Sequence, residues 1–315
     1  ATELGYRQNI AARALKTGRT GLLGILSFQA QDVISARLLY HAVQAAKEEG
    51  HIPVVYHADR FETRACLAAC HAMIDSNVDG VILLSPAERT FPQSHVRLLL
   101  EAGIRVVAIN APWLMGLPGF IPNKREGFEA LIRHLIAEGN RSITLAAWEI
   151  PPNTPRWRHF HARTGFHTLE AMQREHPHIH FQFHPIPLEN SANRVPQLEG
   201  IHPLHVNGYL VMHQLLERAK LPDALMLLTD NWAMGALRAC AEAGVKVPQD
   251  LAITGYEDDP ASAGGFVPLT SVTHPARELC RLAVAELLAL IRGEVRQARR
   301  LKEVGAELII RQSSV

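Results

Sequence analysis

Polar side chains follow several of the short apolar runs in this sequence. Phe28, Gln29 and Asp32 come after the run at 22–27, and Ser85 follows the run at 81–84. Carboxylate, amide and hydroxyl groups bind ligands through hydrogen bonds. In parallel α/β proteins, ligands collect at the carboxyl ends of the strands. These residues are therefore candidates for a small-molecule site.

Tryptophan side chains also lie close to the predicted strand ends. The four tryptophans are Trp113, Trp148, Trp157 and Trp232. An indole ring stacks on the apolar face of a sugar, which favours a carbohydrate ligand and makes Trp113 a candidate contact. Ordinary packing in the core or in a loop is the other explanation for each ring, and both interpretations stay open.

Histidines recur at alternate positions near residue 180. His178, His180, Gln182 and His184 would share one face of a strand, because side chains alternate along a strand. This pattern admits a metal site, but a solvated strand face explains it more simply. We therefore expect no metal and no cofactor.

The sequence lacks short motifs that mark common enzyme sites. No GxGxxG follows the first apolar run, and neither GxxxxGK[ST] nor GxSxG occurs. The acidic run Glu257-Asp258-Asp259 admits metal-assisted chemistry, but a cap in a tight turn and a ligand contact explain it more simply. We therefore predict that the protein is not an enzyme.

Short apolar runs alternate with amphipathic segments along most of the chain. The runs predict strands at 22–27, 52–56, 81–84, 106–109, 142–148, 180–186, 224–229 and 252–256. The amphipathic segments predict helices at 34–49, 63–77, 93–102, 125–138, 160–175, 206–220 and 233–243. Irregular sequence at 112–122 interrupts this rhythm. The expected fold class is α/β, with two doubly wound parallel-sheet lobes and a cleft between them.

Residues 4–20 form a short, basic, alanine-rich segment ahead of this body. Nearly every residue from 10 to 16 favours a helix, and Gly18 ends it. Such a helix has little apolar surface of its own to bury, so a partner chain, an anion or nucleic acid must stabilise it. A frayed, solvated tail is the alternative interpretation.

Size and composition restrict the class of protein. The 315 residues suffice for two domains, and a formal net charge of +1 argues against coating nucleic acid with the whole surface. No run approaches the ~18 apolar residues of a membrane span. Arg7 and Arg13 interrupt any apolar region of a signal peptide. Four scattered cysteines fit reduced thiols, so we expect a cytoplasmic protein with no membrane partner.

Several blocks carry a family resemblance. Residues 229–236 read TDNWAMGA, residues 241–258 read AEAGVKVPQDLAITGYED, and residues 268–272 read PLTSV. These blocks, with LGYRQN at 4–9, resemble motifs of the LacI/GalR family of bacterial transcription regulators. In the family junction LGYxPN, a proline stands where this chain has Gln8. The resemblance implies two lobes similar to periplasmic sugar-binding proteins, preceded by a hinge helix.

The resemblance also implies how the chain is divided. In the family the chain crosses between the lobes three times, which by position falls near Ile121, Val272 and Glu303. Residues 1–20 are then the end of a headpiece and the hinge helix. Residues 21–121 with 273–303 form the N-terminal lobe, and residues 122–272 with 304–315 form the C-terminal lobe.

An effector site follows from the same resemblance. Asn110 stands where relatives carry a ligand-binding carboxylate or amide, and Asp230 matches a motif aspartate, with Thr229 replacing the asparagine before it. Glu257 stands where relatives bind ligand with a shorter aspartate. His274 matches a further contact position.

One block departs from the family pattern. Relatives carry an arginine three residues before Gly-Phe, where this chain has Ala162 before Gly165. Arg163 or Arg158 is expected to replace it, because arginine suits bidentate recognition. Otherwise the ligand lacks the group that this arginine binds.

DNA contacts are implied for the N-terminal segment, with the reading helix of a helix-turn-helix headpiece lying outside this chain. Leu15 matches the leucine that wedges between base steps in the minor groove. Basic residues, Arg19 included, would contact phosphates. The expected DNA-binding residues are Arg7, Asn9, Arg13, Leu15 and Lys16.

The expected function is a ligand-responsive transcription regulator, a repressor, whose interlobe cleft binds a sugar or a derivative. The effector would gate operator binding by a homodimer, because a palindromic operator needs a two-fold protein. The alternative is a solute-binding protein for sugar uptake, against which the basic segment counts. We expect the dimer seam on the helices at 34–49 and 63–77, at Ala42, Ala46, Ala65, Ala68 and Ala69.

Overall fold

The computed structural model describes residues 18–28, 33–58, 62–84, 91–112, 114, 116–150, 160–187, 198–297 and 300–315. These residues divide into two compact units. Unit 1 comprises the residues up to Pro122 together with Pro275–Val304, and unit 2 comprises Asn123–His274 together with Gly305–Val315. The chain therefore passes between the units at three points. No helix in the described ranges is long and apolar enough to cross a membrane.

Strands and helices alternate along most of the described chain. The strands are β1 (Leu22–Phe28), β2 (Ile52–Ala58), β3 (Gly80–Leu84), β4 (Arg105–Ile109), β5 (Pro118–Pro122), β6 (Ser142–Trp148), β7 (His180–Ile186), β8 (Ala224–Leu227), β9 (Ala252–Thr254), β10 (Ser271–Val272), β11 (Arg300–Val304) and β12 (Leu308–Ile309). The α-helices are α1 (Val33–Glu48), α2 (Thr63–Asp75), α3 (Gln93–Glu101), α4 (Lys124–Ala137), α5 (Phe160–Glu175), α6 (Val206–Leu216), α7 (Asp230–Ala243), α8 (Pro260–Ala263) and α9 (Ala276–Arg292).

Unit 1 contains a parallel six-stranded sheet in the order β11-β5-β4-β3-β1-β2. The inner strands β1, β3, β4 and β5 are buried on both faces because helices cover each side. Alternate residues of β3 show this arrangement. Ile82 and Leu84 join the apolar cluster with α1 and α9, whereas Val81 and Leu83 join the cluster with α2 and α3. The apolar runs therefore predicted buried parallel strands correctly.

Unit 2 contains a parallel four-stranded sheet in the order β7-β6-β8-β9, with a small antiparallel pair of β10 and β12. Its core gathers Leu145 of β6, Met226 of β8 and Ile253 of β9. In both parallel sheets the first strand lies between the second and the third, as in doubly wound folds. The α/β fold class with two doubly wound sheets is confirmed.

β5 corrects the expectation of irregular structure at 112–122. Pro118, Gly119 and Pro122 disfavour a strand locally. β5 nevertheless pairs with β4 and with β11, a strand far away in the sequence. Tertiary pairing therefore overrides the local signal. The helix expected at 206–220 also ends earlier, at Leu216.

The expected dimer seam is wrong for three of its five alanines. Ala42 and Ala46 of α1 are 0% exposed and pack with residues of α9, and Ala69 of α2 is 8% exposed. α9 lies far from α1 in the sequence, so no local pattern predicted a partner for the small face of α1 within the chain. Ala65 is half-buried and Ala68 is exposed.

Candidate functional site

α7 begins directly after β8, three residues earlier than expected. Thr229 is its N-cap, and the side-chain oxygen accepts a hydrogen bond from the backbone N–H of Trp232 at 3.3 Å. Such a cap satisfies a donor of the first helical turn that would otherwise lack a partner. Asp230 is therefore the first residue of a helix rather than part of a loop.

Asp230 is turned into the protein. It is 1% exposed, its Oδ1 accepts a hydrogen bond from the Ser271 hydroxyl at 2.6 Å, and its Oδ2 accepts one from the backbone N–H of Asp259 at 2.6 Å. Burial raises the pKa of Asp230 to about 7, although these hydrogen bonds act in the opposite direction. Both carboxylate oxygens thus hold the chain near residues 257–259 in place.

Glu257 lies in a strained turn after β9. Its φ is +111° and that of Asp258 is +47°, values that side chains with a Cβ rarely adopt. The backbone N–H of Glu257 donates to the carbonyl of Val272 at 2.7 Å, and that of Asp258 donates to Ser271 Oγ at 3.1 Å. The Arg311 guanidinium donates to the Asp258 carboxylate at 2.7 Å. Strain held in this way concentrates at functional sites.

Lys124 approaches this turn from the start of α4. Its Nζ lies 5.7 Å from the centroid of the Tyr256 ring, within range of a cation–π interaction. Burial lowers the pKa of Lys124 to about 8, and the charge of Glu257 opposes that shift. The Lys124 cation and the Glu257 anion therefore interact electrostatically at the carboxyl edge of the unit 2 sheet.

Tyr256 and His161 lie beneath these charges. Tyr256 is 0% exposed, and its ring centroid is 5.1 Å from that of His161 on α5. Within the described ranges, neither Tyr256 OH nor His161 Nε2 has a hydrogen-bond partner. Burial lowers the pKa of His161 well below its usual range, and Lys124 and His274 act in the same direction, so the imidazole is neutral at pH 7. Buried polar atoms of this kind call for a ligand or an ordered water.

His274 completes the group. It is 4% exposed, and its backbone N–H donates to the carbonyl of Glu257 at 3.3 Å. It is also the last residue of unit 2 before the chain passes into unit 1. We call this group the Lys124–Glu257 cluster; its members are Lys124, His161, Tyr256, Glu257 and His274.

The sequence did not predict three members of the cluster: Lys124, His161 and Tyr256. Ala162, at the family's arginine position, is 0% exposed. Arg163 is half-buried and lies about 200° around α5 from His161, so the two side chains leave the helix on opposite sides. Among the described side chains of α5, His161 is the one that reaches the cluster. Arg158 lies outside the described residues.

The predicted ligand residues of unit 1 lie at the ends of β1 and β4. Phe28 is 1% exposed and meets Phe91 edge-on, with ring centroids 5.9 Å apart. Asn110 is half-buried, adopts a φ of +56°, and donates its backbone N–H to Phe120 at 2.9 Å. Four further candidates lie outside the described residues: Gln29, Asp32, Ser85 and Trp113.

Two of the tryptophans pack against each other. Trp148 at the end of β6 and Trp232 in the first turn of α7 meet edge-on, with ring centroids 4.7 Å apart. Trp232 is 6% exposed. Core packing therefore explains Trp232. Trp157 lies outside the described residues.

The histidine-rich stretch is solvated only in part: His178 and His180 are exposed, as predicted, whereas His184 is buried. His184 of β7 is 8% exposed, with Nε2 2.8 Å from Gln214 Oε1 and Nδ1 3.1 Å from Arg218. Both partners come from α6 and the turn after it, a contact that no local pattern signals. Searched over the described ranges, His, Cys, Asp and Glu side chains form no group of three that could hold a metal ion.

All five predicted DNA-binding residues, Arg7, Asn9, Arg13, Leu15 and Lys16, lie outside the described residues. The described chain begins at residue 18 and is soon fixed to unit 1. Asp79 accepts hydrogen bonds from the backbone N–H of Thr20 at 2.9 Å and of Gly21 at 2.7 Å. Arg19 donates to the carbonyl of Ile291 at 2.5 Å. The exit point of the basic segment is thus anchored.

Known proteins resemble this chain along nearly its whole length. The lactose operon repressor of Escherichia coli (strain K12) is 24% identical over 305 residues, which cover 96% of this chain and 77% of that protein. The HTH-type transcriptional repressor PurR of Serratia proteamaculans (strain 568) is 27% identical and covers 99% of this chain and 85% of that protein.

Solved structures share the fold. The lac repressor dimer bound to operator and the anti-inducer ONPF matches with a TM-score of 0.74 and 20% identity, over 98% of this chain and 99% of that chain. The LacI family regulator CCPA from Weissella paramesenteroides, with bound glucose, matches with a TM-score of 0.73 and 16% identity, over 93% of this chain and 98% of that chain.

The model of the family described as periplasmic binding protein-like domain matches residues 132–314. The chain therefore belongs to the periplasmic binding protein-like domain family, and the resemblance to LacI/GalR regulators is confirmed.

Proposed function

We propose that this protein is a ligand-responsive transcription repressor, in which a small effector gates operator binding by a homodimer. The observation that carries the proposal is the Lys124–Glu257 cluster, which places charged and hydrogen-bonding groups at the carboxyl edge of a doubly wound sheet. Ligands of such folds bind at that edge. The relatives named above are repressors, which favours regulation over the alternative of sugar uptake and over enzymatic activity.

The proposed effector is a sugar or a sugar derivative. Carboxylate, ammonium, imidazole and phenol groups match the alternating donors and acceptors of hydroxyl-rich molecules. The structures of two regulators with the same fold contain bound glucose and bound ribose. Asp230 is proposed to act indirectly, since its oxygens hold the turn that carries Glu257. The unit 1 residues Phe28 and Asn110 are further proposed contacts, whereas Arg163 leaves α5 on the side opposite His161 and is not proposed.

The cluster is connected to the segments that pass between the units. Lys124 is the second residue after the first crossing point. Near the second crossing point, the backbone N–H of Glu257 donates to the carbonyl of Val272, and the Glu257 carbonyl accepts from the backbone N–H of His274. The backbone N–H of Thr273 donates to the carbonyl of Glu307, which lies just after the third crossing point. An effector that engages Lys124 or Glu257 therefore acts directly on these segments. Coupling of this kind is typically worth 1–3 kcal/mol.

Operator DNA is the proposed partner of the N-terminal segment, through Arg7, Asn9, Arg13, Leu15 and Lys16. The bonds from Thr20 and Gly21 to Asp79 support this assignment, because they tie the segment's exit point to the β3 end of unit 1. A movement of unit 1 is then transmitted to the DNA contacts. A cytoplasmic location accords with this role.

The proposed dimer face is the exposed apolar surface of unit 1. Tyr40 of α1 is 60% exposed, Ile52 and Val55 of β2 are each 45% exposed, and Leu67 of α2 is 37% exposed. β2 is one of the two edge strands of the sheet. Exposed apolar side chains next to an open strand edge are typical of an interaction surface.

A thermal-shift screen tests the effector site. The chain is heated with sugars, sugar acids, sugar phosphates and nucleobases in turn. A ligand at about 100 times its dissociation constant adds about 2.7 kcal/mol of stability. We expect at least one hydroxyl-rich compound to raise the melting temperature. A panel without a single shift would count against an effector-binding protein.

A further inference from the structure

We propose that the effector is an acidic sugar derivative, a polyhydroxylated carboxylate whose carboxylate binds the Lys124 ammonium while its hydroxyl groups bind Glu257. The inference rests on the proposed function, since it names the ligand class of the same site. Its starting point is the contact between Lys124 and the Tyr256 ring and the position of Lys124 at the start of α4.

The place of Lys124 is unfavourable for a cation. It is the first residue of α4, where the helix dipole is positive. It is also half-buried, and burial lowers its pKa to about 8. Glu257 offsets part of this cost. A bound carboxylate would interact with the ammonium and with the helix N-terminus at once, which removes the remaining cost.

The groups beneath Lys124 suit hydroxyls rather than further charge. His161 is neutral, and its Nε2 lacks a partner among the described residues, as does the hydroxyl of the fully buried Tyr256. Both can donate or accept one hydrogen bond. A hydroxyl-rich ligand, directly or through a bound water, satisfies them without bringing a second charge into the site.

The charge balance favours a carboxylate over a phosphate. Phosphate dianions are typically bound by guanidinium groups or by several cations. The described members of the cluster include one ammonium, one carboxylate and no guanidinium, and Ala162 stands at the arginine position of the family. The Lys124 ammonium and the Glu257 carboxylate already balance each other. A dianion would add two negative charges to this neutral pair, whereas a monoanion adds only one.

Matched pairs of ligands test the proposal by calorimetric titration. D-glucuronate is compared with D-glucose, D-galacturonate with D-galactose, and D-gluconate with D-glucitol, with glucose 6-phosphate as the phosphate arm. We expect one acid to bind at least about tenfold more tightly than its neutral partner, the range of one charge-assisted hydrogen bond. Lys124→Gln should remove that preference, Lys124→Arg should keep most of it, and exposed Lys220→Gln is the control.

The outcomes distinguish a failure of the acidic-effector proposal from a failure of the effector site itself. A neutral sugar that binds as tightly as its acid, or an acid preference that survives Lys124→Gln, would overturn the acidic effector while effector binding stands. Tighter binding of the phosphate than of every acid would overturn the carboxylate assignment. If no compound of any class binds, the effector site itself is contradicted.

Discussion

The carboxylate of Asp230 accepts a hydrogen bond of 2.6 Å from the hydroxyl of Ser271, which joins the first residue of α7 to the first residue of β10 inside unit 2. The other carboxylate oxygen holds the backbone N–H of Asp259. The strained residues Glu257 and Asp258 directly precede that anchor. Asp230 therefore positions Glu257 without facing solvent itself.

The stability gained from Asp230 should depend on pH. Burial raises its pKa in the folded protein from 3.8 to about 7, so the folded state keeps a proton that the unfolded chain has released. Stability then falls as the pH rises through that window. We expect the difference in unfolding free energy between the native protein and Asp230→Asn to shrink from pH 4 to pH 7 in urea titrations. A constant or growing difference would contradict the raised pKa.

Close packing of α6 against α7 should make two glycines sensitive to substitution. A Cβ at Gly208 would overlap the carbonyl of Trp232, and one at Gly235 would overlap the carbonyl of His205. Because backbone atoms cannot move aside cheaply, Gly235→Ala should cost about 3 kcal/mol. Gly264→Ala is the matched control, since its nearest atom is 4.0 Å away. Equal melting temperatures for both variants would show that α6 and α7 do not pack as closely as the structure indicates.

Charge on the edge strand of unit 1 should break the proposed dimer. Val55→Asp places a carboxylate at a position that is 45% exposed, in the middle of β2. We expect light scattering at micromolar concentration to show a dimer for the native chain and a monomer for this variant. Leu204→Glu, at a 40% exposed position of unit 2, is the control and should stay dimeric. A native chain that is monomeric, or a dimer that survives Val55→Asp, would contradict the proposed dimer face of unit 1.

Leu15 should contribute to operator binding by wedging into the minor groove. In the full-length protein, Leu15→Ala should weaken operator affinity by more than about 1 kcal/mol and reduce DNA bending. Fluorescence anisotropy measures the first effect, and circular-permutation gel shifts measure the second. Unchanged affinity and bending would remove the wedge assignment.

The inner strands β1, β3, β4, β6 and β8 were predictable because parallel strands buried on both faces are continuous apolar runs. The run at 106–109, for example, lies within β4. β5 was missed because its prolines oppose a strand and its partner β11 is remote in sequence. The start of α7 was placed late, although Thr229-Asp230 is a recognisable capping signal.

The site was predictable only in part. Glu257 and His274 were found through the family resemblance, and the structure brings them together with Tyr256. Lys124 and His161 join them from the starts of two helices that are remote from β9 in the sequence. Nothing local distinguishes these two residues from other lysines and histidines, so their role emerges only from the tertiary structure.

The central claim is that a small molecule at the Lys124–Glu257 cluster changes the affinity for DNA. The most direct measurement is the operator affinity of the full-length protein, on DNA selected from genomic fragments, with and without the effector found by the screen. We expect a change of about 5- to 150-fold, and no change in folded Glu257→Ala. An effector that binds without altering DNA affinity, or a Glu257→Ala variant that responds like the native protein, would contradict the account.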